Sequence, residues 1–450
     1  MKTYLDGRVT VHGGDNREVM RTLADNSIDA IVTDPPYALV SIVKRFGGKN
    51  AAPARDGDVY MRSSAGFMGK QWDTGETAFA VEFWQECLRV LKPGGHVIAF
   101  SHSRTYHRMA VAIEDAGFEI RDQIAWVYGS GFPKSHNVAK SIDAKLGAEP
   151  TRVPTGKPVK RMIPGADQAA AGWEKNNGRT YQPGIDLPTT DEAKQWDGWG
   201  TALKPSLEPI CLARKPLIGS VAENVLTHGV GGINIDGCRV EASEPLGRLN
   251  HTTSKFIDSA NGARDAHART ILVNNSGDKG RFPANLIHDG SDEVLASFPA
   301  EAGAFAPVKG TEPSSSTKAV FGQINRMASN AFHPDSGSAA RFFYTAKADA
   351  DDRIASKHPT VKPVDLMQYL VRLVTPKGGT VLDPFAGTGT TGEAAWREGM
   401  HAILIEREAE YLEDIARRMD LADKPTKRQA VAKTKGNIDD TANLPLFGGN

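Results

Sequence analysis

Asp34-Pro35-Pro36-Tyr37 sets a carboxylate, two rigid prolines and an aromatic ring in four consecutive positions, directly after the apolar run Ile28-Asp29-Ala30-Ile31-Val32-Thr33. These groups suit a flat heterocycle that carries an amino group. The carboxylate of Asp34 can accept a hydrogen bond from the amine, and Pro35 and Pro36 lack an N–H and offer only carbonyl acceptors. The ring of Tyr37 can stack on the heterocycle. A strand that simply ends in a Pro-Pro turn is the plain alternative for the tetrapeptide.

A second group of residues lies far along the chain. Thr380-Val381-Leu382-Asp383-Pro384-Phe385-Ala386-Gly387-Thr388-Gly389-Thr390-Thr391-Gly392 reads as a short strand, a glycine loop and the start of a helix. Such a loop lets backbone approach a ligand closely, and the helix N-terminus favours a negatively charged ligand group. The next apolar run, His401 to Ile405, ends in Glu406, which is placed to bind ribose hydroxyls. Gly387-x-Gly389-x-x-Gly392 also fits a dinucleotide fingerprint. However, Asp383-Pro384-Phe385-Ala386 separates the strand from the first glycine. A carboxylate there repels a pyrophosphate but suits a ligand with an ammonium or sulfonium centre.

Positioning these groups requires alternating strands and helices. Arg8–His12 reads as a strand, Gly13-Gly14-Asp15 as a turn and Asn16–Leu23 as a helix. After the strand Ile28–Thr33, residues 38–72 lack periodicity and read as a long loop beside the site. Phe79–Leu91 and Tyr106–Ala116 read as helices around the strand Val97–Phe100. Ile120–Tyr128 and Pro209–Ala213 read as further strands. The alternation predicts an α/β protein whose parallel sheet is covered on both faces.

With 450 residues the chain has room for two or three domains. Its formal net charge is zero, so no global basic field announces a nucleic-acid partner. Locally, residues 134–179 hold nine Lys/Arg against four acids, and residues 424–435 hold five basic residues and no acid. The three cysteines, Cys87, Cys211 and Cys238, are far apart and form no zinc-type pair, which fits a reducing compartment and no bound metal. No apolar run reaches membrane-spanning length, so a soluble cytoplasmic protein is expected, with no membrane partner.

The chain resembles the S-adenosylmethionine-dependent DNA amino-methyltransferases of the N6-adenine/N4-cytosine type. In that family an Asp-Pro-Pro-Tyr box is catalytic and an Asp-Pro-Phe-x-Gly-x-Gly box binds the cofactor. Lys357-His358-Pro359-Thr360-Val361-Lys362-Pro363 is similar to a third family segment, and the order of the boxes resembles the β class. The resemblance implies a Rossmann-like methyltransferase sheet, mostly parallel with an antiparallel edge hairpin, and an inserted target-recognition domain. It makes Asp34, Pro35, Pro36 and Tyr37 catalytic. Asp34 and the Pro35 carbonyl would each accept one hydrogen of a flipped-out base amine. Asp383, Phe385, Gly387, Gly389, Thr390 and Glu406 would bind S-adenosylmethionine, with Thr360 and Lys362 at its methionine end. Asp15 would either contact the adenine of the cofactor or serve as a turn acid. Gly129–Ser135 resembles a loop bordering the target base in some relatives, which marks Phe132, Lys134 and Ser135 as DNA-binding candidates.

The domain organisation implied is a catalytic half at 1–129, an insertion at the hairpin at 130–205, an edge strand at 206–215 and a target-recognition domain at 216–340. A cofactor half at 341–422 and a basic tail at 423–450 complete it. Asp at the first box position favours adenine N6, with cytosine N4 or a silent DNA-binding regulator as alternatives. Double-stranded DNA, a second copy of the chain and a restriction endonuclease are the partners expected.

Overall fold

The structure is a computed structural model that describes residues 1–37, 77–131, 135–149, 151–155, 183–242, 280–302, 337–346, 350–356, 358 and 360–422, with short strand segments between 159 and 181. The loop expected at 38–72, Phe132, Lys134 and the basic tail lie outside the described residues. Two compact units are present, Met1–Gly129 with Leu207–Asn450, and Ser130–Ser206.

The larger unit is built on one ten-stranded sheet. Its strands are β1 (Lys2–Tyr4), β2 (Val9–Gly13), β3 (Ile28–Thr33), β4 (Leu91–Phe100), β5 (Glu119–Val127), β6 (Leu207–Arg214), β7 (Leu286–His288), β8 (Tyr344–Thr345), β9 (Thr380–Asp383) and β10 (His401–Glu406). They lie in the order β1-β2-β10-β9-β3-β4-β6-β5-β7-β8. From β2 to β4 every pairing is parallel. β6 runs antiparallel to both β4 and β5. The antiparallel pair expected at the edge is therefore present, but β7 and β8 continue the sheet beyond it in parallel. The reason is that the outer side of β5 would otherwise leave its backbone groups unpaired. Instead, Ala125 N–H donates to the Asn285 carbonyl at 2.8 Å and Asp289 N–H to the Val127 carbonyl at 3.0 Å.

Strand residues alternate between two cores, as the two-residue period of a strand requires. Ala30, Val32, Ile98 and Phe100 enter one; Ile31, Val97 and Ala99 enter the other. The second core is closed by α1 (Asn16–Met20), α2 (Val81–Val90) and α3 (Tyr106–Asp115), through Met20, Phe83, Trp84, Cys87, Met109 and Ile113. α4 (Val221–His228) stands beside β4, where the buried Asn224 amide donates to the Pro93 and Val230 carbonyls. The first core is closed by α5 (Val364–Val374), α6 (Thr390–Arg397) and α7 (Ala409–Ala422), through Leu366, Leu370, Val371, Ala394, Ala395 and Ile415. In α5 the apolar positions recur at helical spacing, so it seals its face along its whole length.

The sequence reads 216–340 as one recognition domain. In the structure its described parts belong to the larger unit, since Leu286–His288 is a strand of the main sheet and Cys238 is buried in the core with α5. Ala339–Phe342 is a helical turn followed by the two-residue β8. The smaller unit is organised around Asp143. This buried acid accepts from Thr189 N–H, Thr190 N–H and the Thr190 hydroxyl, which joins the helices Val138–Leu146 and Asp191–Gln195. Strands Thr151–Pro154 and Gly184–Leu187 pair antiparallel beside it.

Candidate active site

The carboxyl ends of the parallel strands gather at one edge of the sheet. β3 delivers Asp34, β9 ends in Asp383 and β10 ends in Glu406. β6 runs the opposite way and pairs Ile210 with Phe100 at the end of β4, so its start brings Glu208 to the same edge. Lys362 stands just before α5.

These side chains form a closed cluster. Lys362 Nζ is 2.5 Å from Asp34 Oδ2, 2.9 Å from the Tyr37 hydroxyl and 3.2 Å from Glu208 Oε2. The Tyr37 hydroxyl donates to Glu208 Oε2 at 2.9 Å. The ammonium also lies 4.8 Å from the Phe100 ring centre and 5.3 Å from that of Tyr37. The other Asp34 oxygen, Oδ1, is buried and has no hydrogen-bond partner among the described residues. A buried acceptor without a donor costs free energy, so a ligand donor that reaches Oδ1 gains a hydrogen bond there.

The electrostatics follow from this crowding. Burial raises the Glu208 carboxyl, and the neighbouring ammonium only partly reverses it. Burial and then the two carboxylates push the Tyr37 hydroxyl well above its ordinary value. Burial lowers Lys362, but Asp34 and Glu208 more than reverse that, and the net direction is up. From sequence, Tyr37 is only a stacking ring; the structure gives its hydroxyl two partners. Lys362, expected at the methionine end of a cofactor, is bonded to the catalytic box. Glu208 has no place in the sequence reading at all. The strand read as Pro209–Ala213 begins at Leu207, two residues earlier, and the usable signal is an acid at the mouth of an apolar strand.

Beside the cluster, β9 leads into the glycine loop. Asp383 is buried and accepts from the Thr33 hydroxyl at 2.7 Å, Phe385 N–H at 3.0 Å and the Thr391 hydroxyl at 2.5 Å. Burial pushes its carboxyl up to about 6. Asp383 thus ties β3, β9 and α6 together beneath the loop. Gly387 and Gly389 have φ of +52° and +79°, a region that glycine enters without strain, and Gly389 caps α6. A Cβ on Gly387 would come within 3.3 Å of His358 Nε2. Thr390 is buried in the first turn of α6.

Glu406 spans the loop from the other side. Its Oε2 accepts Gly387 N–H and its Oε1 accepts Glu408 N–H, each at 2.8 Å. Burial pushes this carboxyl up to about 7. The remaining lone pairs of Glu406 fit hydroxyl donors.

Other expected residues make the following contacts. Phe385 packs its ring 5.2 Å from that of Phe83. Asp15 caps α1 by accepting Arg17 N–H, and the Arg17 guanidinium holds its carboxyl below the usual range. This is the turn role left open above. Thr360 is exposed, with its carbonyl 2.7 Å from His358 Nδ1. In the smaller unit the Ser135 hydroxyl accepts Thr201 N–H at 2.9 Å. All three cysteines are buried, and burial raises their thiols, to about 12 for Cys211 and Cys238. Among the described residues, no group of three or more His, Cys, Asp or Glu could hold a metal ion, and no helix is long and apolar enough to cross a membrane.

A family model described as DNA methylase, N6_N4_Mtase, matches residues 28–417, and the chain belongs to this family of DNA methylases. Among its relatives, the Type II methyltransferase M2.DpnII of Streptococcus pneumoniae is 42% identical over 69 residues, 15% of this chain and 26% of that protein. The chain thus spans about a quarter of that relative. The Type II methyltransferase M.HindIII of Haemophilus influenzae is 25% identical over 261 residues, 54% of this chain and 70% of that protein. Among solved structures, the M1.HpyAVI-SAM complex has a TM-score of 0.36 at 14% identity, covering 92% of this chain and 100% of that one. The cytosine-N4-specific PvuII DNA methyltransferase has a TM-score of 0.38 at 13% identity, covering 97% and 94%.

Proposed function

We propose that the protein transfers a methyl group from S-adenosylmethionine to the N6 amino group of an adenine rotated out of double-stranded DNA. The observation that carries this reading is Asp34 Oδ1, a buried acceptor with no donor among the described residues, at the end of β3 and beside the glycine loop. An exocyclic amine is a poor nucleophile because its lone pair is delocalised into the ring. Asp34 Oδ1 accepts a hydrogen bond from one amine hydrogen and the Pro35 carbonyl from the other, which turns the lone pair out of the ring plane. The methyl would pass to that lone pair as the sulfonium leaves as a neutral thioether, and the nitrogen would then lose one proton, to water or by way of Asp34. Tyr37 stacks on the displaced base, its ring fixed by Glu208 and Lys362. The contribution is orientation and electrostatics.

The residues fit the methyl donor. Gly387 and Gly389 leave the loop without side chains, and Glu406 offers a carboxylate for ribose hydroxyls. When bound, S-adenosylmethionine supplies an electrophilic methyl group on a sulfonium. The Type II relatives support a role beside a restriction endonuclease, and the family resemblance supports a homodimer, which light scattering reads directly.

The test is to incubate the protein with methyl-labelled S-adenosylmethionine and unmethylated DNA, digest to nucleosides and identify the labelled one by mass spectrometry. N6-methyladenine is expected. N4-methylcytosine would change the base but keep the chemistry, and no labelled nucleoside would overturn the reading.

The raised carboxyl of Glu406 gives a second prediction. Hydroxyl donors favour the ionised form, and in the free protein this acid titrates at about 7 against an ordinary 4.5. At pH 6 most molecules must lose a proton to bind. The association constant for the cofactor should therefore rise about tenfold from pH 6 to pH 8. Glu406→Gln should bind more weakly and lose that rise, as read by calorimetry. The same shift makes the free protein lose stability as pH climbs from the ordinary value through 7, because the folded state binds the extra proton.

A further inference from the structure

Lys362 binds Asp34 and Glu208 as well as Tyr37. An ammonium has three N–H donors. Here the three oxygens around Nζ are Asp34 Oδ2, the Tyr37 hydroxyl and Glu208 Oε2. The side chain is 7% exposed, so its donors are fully engaged within the cluster.

We propose that Lys362 and Glu208 are a positioning pair for Asp34, which aims its free oxygen at the target amine and sets its strength as an acceptor. The proposal rests on the reading of Asp34 as the acceptor of the base amine.

The geometry argues each half. A carboxylate bonded through one oxygen cannot turn freely about its Cβ–Cγ bond. Lys362 holds Oδ2, so Oδ1 is left in a single direction, buried and without a donor among the described residues. Alone, however, an adjacent ammonium would neutralise Asp34 and weaken it just as the amine nitrogen gains positive charge. Glu208 corrects this by sharing the ammonium. With both acids ionised, two carboxylates and one ammonium leave the cluster with one negative charge. That sign attracts the developing charge on the amine. Tyr37 closes the ring of contacts by accepting from Lys362 and donating to Glu208, so the stacking surface and the acceptor are set by one network.

A merely structural ion pair would change folding without changing the balance between binding and turnover. The discriminating variants are Lys362→Met and Glu208→Gln in the full chain. The glutamine side chain keeps an acceptor oxygen for Tyr37 and Lys362 but lacks the charge. We expect the single-turnover methylation rate at saturating cofactor to fall about 100-fold in Lys362→Met and about tenfold in Glu208→Gln. The cofactor dissociation constant, measured by calorimetry, should stay within about twofold of wild type. Should Lys362→Met fail to fold, Glu208→Gln decides the matter in the same way.

A wild-type rate in Glu208→Gln would overturn the proposal. So would a Lys362→Met protein that binds cofactor more than about tenfold worse yet turns over normally once saturated, because Lys362 would then serve the cofactor. Asp34→Asn is run alongside. An undiminished rate in that variant would remove the acceptor reading itself, which separates its failure from that of the positioning pair.

Discussion

Asp34→Asn should lower the single-turnover rate of methyl transfer by about a thousandfold or more. The expectation comes from the direction of hydrogen bonds rather than from charge alone. Asparagine has one acceptor oxygen and one donor NH2. The Lys362 ammonium, 2.5 Å from Asp34 Oδ2, admits only the oxygen on its side. The NH2 must then take the place of Oδ1, the buried position that has no partner among the described residues. Where the target amine needs an acceptor, it meets a donor. The amine is neither polarised nor turned out of the ring plane, and the clash of donors opposes binding of the flipped base as well. Cofactor affinity should change little, since Gly387, Gly389 and Glu406 are untouched. The measurement pairs quench-flow methylation of labelled DNA with calorimetric cofactor binding. A rate within about tenfold of wild type would take Asp34 out of the chemistry.

Parts of this site are readable from sequence for a physical reason: each is written in consecutive residues. The run leading into Asp34 is buried at every position of β3. The glycines at 387 and 389 both have a positive φ, which glycine meets without strain. Glu406 closes an apolar strand, and its place in the chain sets its place in the sheet. Glu208 and Lys362 are different. Lys362 stands in the Lys357–Pro363 segment and Glu208 at the mouth of an apolar strand, but they lie far apart in the chain and neither signal says that the two meet. Their meeting depends on β6 entering the sheet between β4 and β5 in the reverse direction, which reverses which end of the strand faces the site. That is a property of strand pairing, and pairing partners are not encoded in any short window. The same holds for Leu286–His288. Three residues carry too little periodicity to declare a strand, yet the open side of β5 recruits them into the main sheet.

Arg418→Met should destabilise the protein by about 3 kcal/mol and weaken cofactor binding about tenfold, although Arg418 belongs to no motif. It is 1% exposed and reaches from α7 into the underside of the glycine loop. Its Nε donates to the Thr388 carbonyl at 2.7 Å, and its Nη2 to the Thr388 hydroxyl at 3.2 Å and the Asp352 carbonyl at 2.6 Å. Its Nη1 donates to Glu393 Oε2 at 2.8 Å. Methionine fills most of the volume but satisfies none of these acceptors. The loss stays near the lower end for a broken buried ion pair because Arg397 still holds the other Glu393 oxygen at 2.7 Å. Thr388 lies between Gly387 and Gly389, whose lack of a side chain allows many conformations, so an anchor from outside is what selects one. Without it the loop must be ordered when the cofactor binds, and affinity falls by the cost of that ordering. Excess cofactor should then recover part of the lost stability by mass action. Thermal unfolding with and without cofactor reads both effects. A variant with wild-type midpoint and wild-type affinity would show that the loop holds its own shape, and that α7 serves only to cover the sheet.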